Sequence, residues 1–472
     1  MINSSKKRIV VGMSGGVDSS VAAALLKKQN YDVVGVFLKF WTDPLCTGKC
    51  RENTCCNQEA LLQARKVASI LDIPFYVLDV SEEFKKLIVD YYIDEYQNGR
   101  TPNPCVECNK FIKFGWLLNK AKELGAEFIA TGHYAKVECS FPVSQKDVRF
   151  FHGAQASGKR LRPTFCDSAH SHYDQLKTEN LPAGRHGCKL LTPQDKTKDQ
   201  TYFLWRLDQN QLKHIIFPLS GYQKPEVREL ARKFKLPVAE KKESQGICFI
   251  PDGDNVGFLS RYIKKLIVPG KIVDINNNVL GEHKGLGYYT IGQRHGLEGI
   301  QLNRSIGNRL TSIATSNGYR QSAEKRKTNN LTNNVKRTAN DESQSSGFPK
   351  AYVLKLNIDK NELVVGEEKD LYQKELVAEK VNWINSRYTL QVTRYTNCEA
   401  KIRYGHPAEK CKISFDLTQD RQNSNNKYQI KVTFEKPQRA ITPGQSVVFY
   451  LPREVSAKWG QENEIIGGGI IK

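Results

Sequence analysis

The sequence predicts an α/β protein. A doubly wound parallel sheet comes first, a small central α+β region follows, and an antiparallel β domain closes the chain. Three observations carry this. The apolar runs Arg8 to Met13, "DVVGVFL" (32 to 38), "PFYVLDV" (74 to 80) and "EFIATGH" (127 to 133) alternate with helical stretches such as Gln58 to Leu71 and Phe111 to Leu124, as crossover-connected parallel strands do. Beyond Phe348, segments such as "AYVLKLNI", "ELVVG", "YQIKVTF" and "QSVVFYL" are separated by turns, the pattern of a small antiparallel barrel. Finally, 472 residues exceed what one core organises, so two or three domains are expected.

The first strand runs straight into "GMSGGVDSSVAAALLKK", a Gly-containing turn followed by an Ala/Leu-rich helix. Such a turn gathers backbone N–H groups and the positive end of a helix dipole at one point, which suits a phosphate. No Lys stands in the loop, so it is not a GxxxxGK[ST] element. Asp18 falls in the first helical turn, where the dipole favours a carboxylate and where it could hold Mg²⁺ beside a pyrophosphate. The plainer alternative is a β-turn-α corner with Asp18 as a cap; Ser-Gly-Gly-x-Asp-Ser-Ser in this setting favours the phosphate site. In open parallel sheets the ligand lies at the carboxyl ends of the strands, so the loops after Met13, Leu38 and Thr131 are expected to share one crevice.

Downstream, Val227, Leu230, Ala231 and Phe234 follow Pro225 at i, i+3, i+4 and i+7, predicting a helix with one apolar face and no chemistry of its own. The formal net charge of +21 makes nucleic acid the leading class of partner. No apolar run is long enough to span a bilayer, and twelve cysteines without a secretion signal read as reduced thiols. A cytoplasmic monomer is the expectation.

Within "TPNPCVECNK", Cys105 and Cys108 stand three apart and admit a metal clip, a redox pair or a nucleophile. The run Cys46, Cys50, Cys55, Cys56 has metal-like density but irregular spacing, which favours free thiols over zinc.

The strings "GMSGGVDSS", "GRTPNPCVECNKFIKFG", "ATGHYAK", "KDQTYFL", "KKESQGICFI", "YTIGQRHGL", "KIRYGHP" and "ITPGQSVVFY" appear in the order of the tRNA-specific 2-thiouridylases, the MnmA family. The resemblance extends from Lys7 to the terminal "GGGIIK". It implies a Rossmann-like adenine nucleotide alpha hydrolase (PP-loop ATP pyrophosphatase) domain over 1–215, a central linking domain over 216–300 carrying Cys248, and a tRNA-binding β-barrel over 349–472. It also implies replacement of O2 of a tRNA wobble uridine by sulfur, with ATP adenylating O2 first.

By the same resemblance, Gly12, Met13, Ser14, Gly15, Gly16, Val17, Asp18, Ser19, Leu38 and Gly132 contact ATP. Cys248 becomes a persulfide, and Cys108 is the nucleophile that forms a disulfide with it as sulfur is released. Asn103, Pro104 and Cys105 fall where the family holds the flipped target base. His133, Lys198, Asp199, Gln200, Arg403, Tyr404 and Gln445 match positions that touch tRNA. The implied partners are tRNA and a persulfide donor or relay protein, with no membrane.

Two positions depart from the family pattern. Leu38 replaces a familiar Met, and Cys105 stands where Asp, an acid/base group, is frequent. Cys105 is therefore a proton handler, a small buried neighbour, or, in a less favoured alternative, a ligand with Cys108 and Cys248 of an iron–sulfur cluster. Two insertions interrupt the match. The one at about 139–190 holds His152, His170, His172, His186, Cys166 and Cys188, irregularly spaced and read as inert rather than zinc-binding. The one at 301–348 is polar, and disorder is expected there. Two readings compete with the enzyme: a PP-loop ligase acting on a small molecule, which the late "GICFI" cysteine and the β domain disfavour, and a catalytically idle tRNA-binding protein, which the intact loop and both cysteines disfavour.

Overall fold

The computed structural model describes residues 6–46, 57–140, 187–242, 246–250, 253–302, 349–385, 398–416, 429–452 and 463–472. Residues 303–348 of the insertion at 301–348, Cys50, Cys55 and Cys56, and nearly all of the insertion at 139–190 lie outside them.

The first sheet is parallel and five-stranded. Its strands are β1 (Arg8–Gly12), β2 (Asp32–Lys39), β3 (Phe75–Asp79), β4 (Phe128–Ala130) and β7 (Ile215–Ile216), in the order β3-β2-β1-β4-β7. The central strands are apolar on both faces because helices cover both: Val10 and Val36 face one core, Ile9 and Phe37 the other. The helix Lys224–Lys233 starts with Pro at its N-terminus, as expected, and buries Val227 and Ala231. That face packs into the core that also holds Val21 and Leu25 of the helix Val17–Lys28.

A second sheet of four strands has the order β10-β11-β8-β9, from β8 (Gly270–Val273), β9 (Val279–His283), β10 (Tyr352–Asn357) and β11 (Glu362–Gly366). Here the structure differs from the expectation that "AYVLKLNI" and "ELVVG" join the C-terminal barrel. β11 pairs in parallel with β8, a contact between distant segments that alternation within either one does not reveal.

The barrel consists of β12 (Tyr372–Trp383), β13 (Cys398–Lys401), β14 (Glu409–Asp416), β15 (Gln429–Arg439), β16 (Ser446–Tyr450) and β17 (Glu464–Ile471). The order β12-β15-β14-β13-β16-β17 is closed by pairing of β12 with β17, which removes the edges an open sheet would expose. A hairpin of β5 (Lys136–Ser140) and β6 (Gly187–Leu191) bridges the two domains by pairing β6 with β17.

Cysteine chemistry departs from the uniformly reduced expectation. Cys139 and Cys188 lie opposite each other on β5 and β6 and form a disulfide. Antiparallel pairing brings their sulfurs together, something sequence separation conceals; Cys188 is thereby removed as a zinc ligand. Cys46 is also disulfide-bonded, whereas Cys105, Cys108, Cys248, Cys398 and Cys411 stand outside disulfides. Among the described residues, no helix is long and apolar enough to cross a membrane.

Candidate active site

The loop after β1 is held by its own short side chains. Met13 N donates to Val36 O at 2.8 Å, and Ser14 N donates to Ser19 Oγ at 3.1 Å. Ser20 Oγ donates to Gly16 O at 2.8 Å as the helix begins. Gly15 has φ +69°, and a Cβ there would lie 2.1 Å from Ala60 O, so only glycine fits. At the end of β4, Gly132 presses against the same helical turn; a Cβ on it would meet Ser19 N at 2.6 Å. The result is a cavity of about 210 Å³ at the carboxyl ends of β1, β2 and β4.

Of the residues expected to hold ATP, Gly12, Met13, Ser14, Asp18, Ser19, Leu38 and Gly132 line this cavity, while Gly15, Gly16 and Val17 form the turn beside it. His133 and Gln200, expected at tRNA, line it too. Gln200 Oε1 accepts from Tyr134 N at 2.9 Å, which ties that side chain to the cavity wall. Thr131 Oγ1 and His133 Nδ1 share a 2.6 Å hydrogen bond, and the imidazole sits among Phe114 and Phe217. Burial, helped by the charge of Lys113, holds the His133 pKa well below the ordinary histidine range, so the ring is neutral at pH 7.

Asp18 is not free for a metal. Both its oxygens accept from Lys224 Nζ at 2.8 Å, and Oδ1 also accepts from Tyr134 OH at 2.9 Å. An ammonium already occupies the place where Mg²⁺ would neutralise this carboxylate, so the expectation of Mg²⁺ on Asp18 does not fit the residues present, and no step is derived through it. A further ammonium, that of Lys241, donates to Gly15 O at 3.3 Å. A phosphate here thus meets a loop flanked by lysines that the motif itself does not contain.

The cysteines sit on a helical run that starts at Pro104 with Asn103 as its N-cap. It continues as π-helix over Cys108–Trp116 and as α-helix over Leu117–Glu123. Cys105 is accessible in the first turn, yet its surroundings are dense enough for desolvation to push its thiol pKa up, with Lys113 pulling the other way. Cys108 is only 5% exposed. The reason is that its face of the helix packs into the core with Val106 and Ile112, so only a group that enters this core margin reaches the sulfur.

Cys248 is half-buried against the large core cluster that also holds Cys108. Its neighbour Phe249 fixes it there, with ring contacts to Phe84 at 5.8 Å and Tyr92 at 5.4 Å. Among the described residues, no group of three or more His, Cys, Asp or Glu side chains is arranged to hold a metal ion. Cys105, Cys108 and Cys248 therefore do not form the ligand set that the iron–sulfur alternative needs.

The residues expected to touch tRNA divide by how their polar atoms are used. Asp199 Oδ1 accepts from Thr201 N and Thr201 Oγ1 at 3.0 and 2.6 Å, and its carboxylate pairs with Lys401 at 3.8 Å, which joins the first domain to the barrel. Arg403 donates to Ala440 O at 2.9 Å, Thr442 Oγ1 at 2.8 Å and Ile291 O at 3.4 Å. Both are structural ties as well as charges. Tyr404, 43% exposed and 4.7 Å from the Phe203 ring, offers an open aromatic surface suited to a base; Lys198 is half-buried nearby in sequence to Phe203.

Gln445 Nε2 donates to Thr101 O at 2.8 Å, and Thr101 N donates to Pro443 O at the same distance. A turn of the barrel thus supports the Thr101 to Cys105 loop. Replacing Gln445 by Leu removes one such bond. The expected result is a loss of about 1 kcal/mol of stability with the fold kept, measured by denaturant unfolding.

Sequence reasoning missed Lys113, Tyr134, Lys224 and Lys241. Lys113 and Tyr134 lie inside quoted motifs, but nothing in composition marks which motif residues face a cavity. Lys224 was visible only as the residue before Pro225, at the start of a helix assigned to core.

The family model described as tRNA methyl transferase HUP domain matches residues 7–159 and 163–252, its PRC-barrel domain 256–306, and the aminomethyltransferase beta-barrel domain 373–471. The tRNA-specific 2-thiouridylase MnmA 1 of Caldanaerobacter subterraneus subsp. tengcongensis is 39% identical over 465 residues, 98% of each chain. The tRNA-specific 2-thiouridylase MnmA of Clostridium perfringens is 37% identical over 467 residues, and that of Clostridium acetobutylicum 38% over 466, each covering 99% of both chains. Matches of this extent show that the chain belongs to the tRNA-specific 2-thiouridylase (MnmA) family.

Proposed function

We propose that this chain is a tRNA-uridine 2-sulfurtransferase that adenylates O2 of the wobble uridine with ATP and then installs sulfur from a persulfide on Cys248. The observation that carries this reading is that one helical run bears Cys105 and Cys108 and also, through Lys113, lines the nucleotide cavity. A base held at Asn103, Pro104 and Cys105 then lies between ATP and the sulfur carriers.

Uridine O2 attacks the α-phosphorus, pyrophosphate leaves with the bonding pair, and the N3 proton is lost. The Cys108 thiolate attacks Sγ of the Cys248 persulfide, forming the Cys108–Cys248 disulfide and releasing hydrosulfide. Hydrosulfide attacks C2, the C2–O bond breaks, and AMP departs. The sulfane sulfur is reduced as the two cysteines are oxidised, and a thiol reductant restores them. Methyl transfer, the activity in the family model's description, needs neither cysteine. A monomeric enzyme supplied by a persulfide donor or relay protein completes the proposal.

The test uses iron-free protein, ATP, unmodified tRNA and a persulfide donor, with 2-thiouridine measured by nucleoside mass spectrometry. ATP-dependent product supports the reading. Folded protein that binds tRNA but forms none overturns it in favour of a binding role, and AMP release without tRNA points to a small-molecule ligase.

A further inference from the structure

Three features of Lys113 converge. It lines the nucleotide cavity in company with Ser14, Asp18 and Gly132. It stands five residues beyond Cys108 in the stretch wound as π-helix, whose turns close by hydrogen bonds spanning five residues, as Leu117 N to Ile112 O shows. A turn wound this way takes more residues than an α-helical one, so Lys113 lies nearer the side of the helix that carries Cys108 than α-helical winding would put it. In an α-helix of 3.6 residues per turn, the same separation would swing it roughly 140° away. Its charge also acts on both Cys105 and His133, and His133 lines the same cavity.

We propose that Lys113 is a further catalytic residue, whose ammonium contacts the α-phosphate of ATP and then that of the adenylated uridine. The inference rests on the adenylating reading above and assigns that site its cation on the cysteine side. During attack by O2, negative charge builds on the non-bridging α-oxygens while the bond to pyrophosphate breaks. During sulfur entry, AMP leaves with the C2–O bonding pair and carries more charge than it held as an ester. One fixed ammonium offsets both, and it does so most where water is excluded. Lys224 serves a different end of the cavity, committed to Asp18 at 2.8 Å. The π-helix then has a purpose: it turns a cation and a sulfur nucleophile toward one reacting base.

The experiment compares the full chain with Lys113→Met and Lys113→Arg. Two readouts are used: single-turnover pyrophosphate release with tRNA, and the pH dependence of Cys105 alkylation read by peptide mass spectrometry. Lys113→Met is expected to slow pyrophosphate release about 100-fold, to change the KM for ATP by no more than about threefold, and to shift Cys105 alkylation to higher pH. Lys113→Arg is expected to recover most of both. Wild-type pyrophosphate release by Lys113→Met would overturn the proposal. So would equal slowing by both variants with an unmoved Cys105 profile, the signature of a packing residue. Failure of the unaltered protein to form 2-thiouridine overturns the functional reading instead; the Cys105 profile needs no tRNA, and an unmoved one would sink this inference as well.

Discussion

Cys248→Ser is expected to bind ATP and tRNA like the unaltered protein and to form no 2-thiouridine from a persulfide donor. The separation of effects follows from position. Cys248 lies at the margin of the core that holds Cys108, whereas the nucleotide cavity is lined by the loop after β1, by Gly132 and by Lys113. Serine conserves the volume and leaves Phe249 seated on Phe84 and Tyr92, so stability should change little. It cannot carry a sulfane sulfur. Pyrophosphate release should therefore continue for one turnover, and adenylated tRNA should accumulate, detectable by mass spectrometry. Thiolation by this variant with a persulfide donor would refute the carrier role. Cys108→Ser should also stop turnover, but with the persulfide retained on Cys248, which intact-protein mass spectrometry distinguishes.

Gly132→Ala is expected to weaken ATP binding on the order of 100-fold while leaving the fold intact. The added methyl would stand 2.6 Å from Ser19 N and 2.7 Å from the Asp18 carbonyl carbon. Those are backbone atoms at the start of the helix Val17–Lys28, and they cannot rotate aside as a side-chain tip can. Overpacking of this kind costs about 3 kcal/mol when nothing yields, which corresponds to roughly two decades in affinity. Displacement of the helix start also misdirects its N–H groups, so the loss should fall on nucleotide affinity before melting temperature. Calorimetric titration with ATP and a thermal melt together check this; unchanged affinity would show that the helix start can shift freely.

The parallel strands were legible because strands buried on both faces read as unbroken apolar runs, as "DVVGVFL" does. β7 was not, since Ile215 and Ile216 are too few to form a pattern. Pairings between distant segments escaped for a different reason: alternation identifies a strand but not its neighbour, and so β10 and β11 were placed with the barrel rather than beside β8. The glycine-containing loop and the cysteines were legible as motifs. The ammonium groups around them were not, because Lys224 reaches Asp18 across 206 residues, and Lys113 is turned toward the Cys108 side only by winding that departs from the α-helical period.

The turn containing Pro443, Gly444 and Gln445 gives the barrel a second occupation. Gly444 has φ +88°, and a Cβ on it would sit 2.9 Å from Thr101 N, so the turn is moulded to the loop it supports. Recognition and chemistry are consequently not modules that can be exchanged separately. A chimera that borrowed a barrel from another RNA-binding protein could inherit its grip, yet it would hold the target base against a reaction centre whose floor had been removed.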